Sequence, residues 1–139
     1  MIGYTVSLDK ICLLSLLIMP LTANSASTYS GDSLHKIYLE MRYLYQIGID
    51  IHQRYDFSDP AQISACTFEV GHNATRAKNL IGATNRIEYP DKKALIASAW
   101  AVYACSNCKG ETSACDSIPE QLKQIRNVIK EQRQTSEKD

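Results

Sequence analysis

At 139 residues the chain has the length of one domain. Its 15 Lys and Arg residues balance its 15 Asp and Glu residues. A neutral surface excludes the broad basic footprint that nucleic acid or an anionic membrane requires. No stretch alternates with period two, so the pattern points to helices and not to a sheet.

The chain opens with MIGYTVSLDKICLLSLLIMPLTANSAS, and from Ile11 to Ala23 it is almost wholly apolar. That run is shorter than the roughly 20 residues a spanning helix needs and has the length of a secretory signal's apolar region. Pro20 breaks it, and Ala23, Asn24, Ser25 and Ala26 form a small-residue processing region. Asp9 offsets Lys10, which leaves only the terminal amine positive. Residues 1–26 are expected to be a secretory signal peptide; an uncleaved anchor is the alternative. Once the signal is cleaved, no stable membrane span is expected, and the chain is exported to a periplasmic or extracellular space. Cys12 would leave with the signal, so Cys66, Cys105, Cys108 and Cys115 remain, an even number.

Residues 27–131 are expected to form a single helical domain. A first helix is predicted over 32–55, with Leu34, Ile37, Tyr38, Met41, Leu44, Tyr45, Ile51 and Tyr55 on one face. Gly48 weakens its middle by about 1 kcal/mol relative to Ala. A second helix is predicted over 60–85. Asp59 caps it, Pro60 opens it and Gln62 completes a capping box. Its stripe of Ile63, Cys66, Val70, Ala74, Ala77 and Ile81 is narrow and small.

Pro90 forces a break, and Asp91 caps a third helix over 91–106. This helix is apolar around most of its circumference, which predicts the most buried position, with Trp100 as a core anchor. A small-residue line of Ala94, Ser98, Ala101 and Cys105 follows one side. A last helix is predicted over 118–131, capped by a Ser117/Glu120 box, with Ile118, Leu122, Ile125 and Ile129 inward. The polar tail, residues 132–139, is expected to fray. Short connections between these helices predict an all-α, four-helix antiparallel bundle.

The segment ACSNCKGETSAC holds Cys105, Cys108 and Cys115. Cys105-x2-Cys108 is a zinc half-site, but a zinc site needs thiolates, and an oxidising compartment removes them. As a redox pair it would close a helix, where the dipole disfavours a thiolate, and no strand precedes it. The haem signature C-x-x-C-H is broken by Lys109. C-x-x-C-K resembles the lysine variant of some multihaem nitrite reductases, over five residues only. Two disulfides use all four cysteines. Folding the chain about the turn near Tyr89 places Cys66 opposite residues 105–110, and Cys66 and Cys105 both lie on small-residue stripes, so Cys66–Cys105 with Cys108–Cys115 is the favoured pairing. Cys66–Cys108 with Cys105–Cys115 is the alternative.

No catalytic constellation is present: there is no HExxH, no G-x-S-x-G and no phosphate-binding glycine loop. No cofactor or metal is expected. Tyr38 and Tyr45 fall on the apolar stripe, whereas Tyr43 lies off it and is the one candidate binding residue. His35, His52 and His72 are expected on helix faces, and the Asn73-Ala-Thr75 sequon is a chance match within a helix. The expected function is that of an exported, disulfide-stabilised helical binding protein of the cell envelope, of an inhibitor or immunity type, acting on another protein. The alternatives are a small redox protein using Cys105 and Cys108, or a haem- or metal-carrying bundle.

Overall fold

The computed structural model describes residues 31–109 and 111–137; the expected signal peptide lies outside them. Within these residues every regular element is a helix: α1 Gly31–Arg54, α2 Pro60–Val70, α3 His72–Arg86, α4 Lys92–Cys105, α5 Ser113–Asp116 and α6 Ile118–Ser136. The all-α class holds. Five longer helices and a single turn replace the four expected.

The first difference is at Gly71, where the predicted second helix splits into α2 and α3. The Gly71 N–H still donates to the Thr67 carbonyl at 2.9 Å, but its own carbonyl accepts from Ala74, three residues on, at 3.1 Å. The regular ladder is interrupted at a residue without a side chain. The second difference is at Ser117. The turn α5 brings the chain into Ser117 already in helical conformation, so its side chain makes no cap bond and the expected box does not form. The third is the tail. The Thr135 and Ser136 hydroxyls donate to the Gln132 carbonyl at 2.8 and 3.0 Å, and α6 runs on through Ser136.

The other caps follow the sequence more closely. Asp59 accepts from the Ala61 N–H at 2.9 Å and Asp91 from the Ala94 N–H at 3.0 Å, each satisfying one amide that the first turn leaves free. Gln62 does not reach back to the cap amide; its side-chain oxygen accepts from the Asp56 N–H at 2.8 Å.

The main core is built by α1, α3, α4 and α6. Leu34, Ile37, Met41 and Leu44 of α1 meet Ala77 and Leu80 of α3, Leu95, Ala99, Val102 and Cys105 of α4, and Ile118, Leu122, Ile125 and Ile129 of α6. The threefold and fourfold spacings that predicted the α1 and α6 stripes are the ones buried. A separate satellite cluster joins the end of α1 to α2: Ile51, Cys66, Val70 and Cys108, flanked by Ile47, Tyr55 and Phe57. Among the described residues no helix is long and apolar enough to cross a membrane.

Candidate functional site

All four cysteines of the described chain are bonded, and each cluster holds one disulfide. Cys66 pairs with Cys108 (Cα–Cα 5.9 Å) and Cys105 with Cys115 (4.9 Å). The favoured pairing is therefore corrected to the alternative. The physical reason lies in where Cys105 points. At Gly48, α1 lies directly against the end of α4: a Cβ there would strike Cys105 Sγ and come within 2.8 Å of its carbonyl oxygen. Cys105 is thus turned into the main core, where Cys115 of α5 meets it. Cys66, on α2, bonds instead to Cys108 in the turn beyond α4. Because Cys105 and Cys108 are bonded to different partners, the C-x-x-C segment does not form a dithiol couple of its own.

His52 sits one turn beyond Gly48, between the two clusters. Its Nδ1 lies 3.3 Å from Thr112 Oγ1, and its ring meets Phe57 edge-on at 4.9 Å. Burial pushes its pKa below the ordinary histidine value, partly opposed by the Cys105 backbone. At the outer end of α1, Arg54 bridges Asp50 (2.7 Å) and Glu69 of α2 (2.8 Å), and the Tyr55 hydroxyl donates to Glu69. These contacts hold the Glu69 carboxyl below its usual range, the Tyr55 hydrogen bond first and Arg54 second. Among the described residues no three His, Cys, Asp or Glu side chains converge as a metal site.

Among the described residues four large apolar side chains are exposed: Leu39, Tyr43, Phe68 and Trp100. Phe68 of α2 is 96% exposed. It lies two residues beyond Cys66, so at 3.6 residues per turn it points nearly opposite the disulfide. It lies off the Ile63–Cys66–Val70 stripe, and that offset is the signal the sequence carries for its exposure. Trp100 is 54% exposed and packs edge-on against Tyr103 at 5.8 Å. This corrects its expected core position: α4 is apolar on nearly all sides, but only Leu95, Ser98, Ala99, Val102 and Cys105 turn inward. Tyr43 is 40% exposed, as expected for a residue off the stripe. Its outer face is covered by Arg76, whose guanidinium sits 4.2 Å from the ring centroid.

Two grooves flank α1. The one against α3 measures about 350 Å³ and contains Glu40 and Arg76, which form a bidentate pair at 2.8 and 2.7 Å. The one against α6 measures about 230 Å³ and is lined by Tyr38, Arg42, Tyr45 and Gln46 of α1 with Lys123 and Arg126 of α6 among others. Tyr38 and Tyr45 are half-buried against the main core, close to their expected positions. Asn73 is 1% exposed, so the side chain of the sequon faces inward. The chain matches no known protein-family profile, no curated protein and no solved structure.

Proposed function

We propose that this is an exported binding protein of the cell envelope that acts on another protein, as an inhibitor or immunity-type protein does. The observation that carries the reading is Phe68, a large apolar side chain left in water on a helix that a disulfide anchors to the body. An exposed aromatic on a rigid support loses little entropy on docking and suits the anchor of a protein interface. Trp100 beside Tyr103 offers a second such anchor. Disulfides form and persist in oxidising compartments, which supports export, and export makes envelope proteins the natural partners.

The test is a binding screen of the disulfide-bonded protein against envelope enzymes, with muramidases and amidases first. The expected result is a stable complex or loss of enzyme activity. Phe68→Ala with Trp100→Ala should weaken the complex by about tenfold or more, the scale of a truncated hot spot. Absence of any complex across the panel and in a native envelope extract would overturn the reading.

A further inference from the structure

The α1/α6 groove differs from its neighbour in charge. Arg42 enters it from α1, and Lys123 and Arg126 enter from α6. No carboxylate lines it. Lys123 has Glu120 at 3.6 Å, a loose contact between two side chains that are each more than half exposed. Among the described residues, Arg42 and Arg126 make no ion pair or hydrogen bond, and neither do the Tyr38 and Tyr45 hydroxyls or the Gln46 amide. Three cations therefore share one groove whose lining holds no anionic acceptor. In a chain with equal numbers of acidic and basic residues this one-sidedness is local, with Glu120 beside Lys123 the one carboxylate paired to a lining cation. Arg76, in the other groove, shows the contrast, because Glu40 already occupies both edges of its guanidinium.

We propose that the α1/α6 groove binds carboxylates, specifically a short acidic segment of the partner protein that inserts Asp or Glu side chains between Arg42 and Arg126. A guanidinium presents paired N–H donors that match a carboxylate, and two of them facing one groove select for more than one acid. The phenol hydroxyls and the Gln46 amide supply further donors to the same oxygens. Size favours side chains over a whole small molecule: about 230 Å³ lies below the 300–1,000 Å³ of ordinary ligand pockets. Charge count disfavours nucleic acid, since affinity for its backbone rises with the number of phosphates neutralised and the groove offers three cations. The identity of the ligand as part of a protein rests on the binding-protein reading above; the preference for carboxylates rests on the groove alone.

The test uses the disulfide-bonded protein and fluorescein-labelled hexaglutamate, read by fluorescence polarisation at low ionic strength. Saturable binding that weakens with added salt is expected, with none to hexaglutamine. Arg42→Gln with Arg126→Gln should weaken binding about tenfold or more, whereas Lys78→Gln with Lys93→Gln, which removes equal charge outside the groove, should change it less than about twofold. Lys123→Gln alone, at a well-exposed side chain, is expected to weaken binding about threefold and serves if the arginine double variant does not fold. The proposal fails if wild type does not bind hexaglutamate, if the two double variants lose affinity equally, or if an oligonucleotide of matched charge binds more tightly. Hexaglutamate binding with no envelope partner would sink the binding-protein reading and leave the groove standing. A partner held through Phe68 and Trp100, but indifferent to Arg42 and Arg126, would sink the groove proposal alone.

Discussion

The main core draws buried side chains from four long helices, whereas the satellite cluster has four buried residues, two of them the halves of one disulfide. Burial stabilises in proportion to apolar area, at roughly 25 cal/mol per Å². The main core has area from every side. The satellite cluster has little, and α2 carries Phe68 outward instead of inward. Covalent closure replaces burial where burial is scarce, and that leaves the outer face of α2 open for other use.

Breaking the two disulfides separately gives the largest effects and tests the comparison most directly. The Cys66–Cys108 bond spans 42 positions and the Cys105–Cys115 bond spans 10. By loop-closure entropy these correspond to about 4 and about 2.7 kcal/mol. Cys66→Ala with Cys108→Ala should give the larger loss in chemical denaturation. Amide exchange should show α2 losing protection first, with α1, α4 and α6 still protected. Cys105→Ala with Cys115→Ala should cost less in total but lower protection across the main core, because both sulfurs are buried within it. If α2 keeps its protection without Cys66–Cys108, apolar contacts hold it and the comparison is wrong.

The sequence carried different parts of this arrangement with different clarity. The α1 and α6 stripes were legible because burial selects one face and the spacing shows which. The Asp59 and Asp91 caps were legible because capping is local chemistry. The break at Gly71 was not, because the apolar stripe continues through it from Val70 to Ala74 and propensity alone cannot place a break. The four cysteines identified themselves, but their pairing depended on the approach of α1 to Cys105 at Gly48, a tertiary contact. Trp100 was misplaced because apolarity all round a helix does not say which side the neighbours occupy. The α1/α6 groove joins Arg42 to Arg126, 84 positions apart by their numbering, and only the packed helices bring them together.

Gly48 reports how closely α1 and α4 approach within the main core. In an isolated helix, replacing Gly by Ala gains about 1 kcal/mol. Here the added methyl group would meet Cys105 Sγ and lie 2.8 Å from the Cys105 carbonyl oxygen. Both neighbours are fixed, one by the disulfide and one by the backbone. Gly48→Ala should therefore destabilise, by about 1–3 kcal/mol as overpacking does in a close-packed core. Thermal and denaturant unfolding measure it. A gain in stability would mean that α1 and α4 do not approach as closely as this packing requires.

The smallest expected effect comes from His52, which meets Phe57 at the satellite cluster and the Cys105 backbone at the main core. Burial lowers its pKa in the folded chain. The unfolded chain then binds the proton more readily than the folded one, so stability rises with pH across this window and falls as pH drops below the ordinary histidine value of about 6.5. The depressed carboxyls of Glu69 and Asp56 lose their contribution further into acid, from the ordinary carboxylate pKa downward. Between neutral pH and mildly acidic pH the melting temperature should therefore fall, and His52→Gln should flatten that slope while keeping a polar group opposite Thr112. If the wild type and His52→Gln lose stability in parallel over this range, the proton is taken up elsewhere, and His52 does not report the packing between the two clusters.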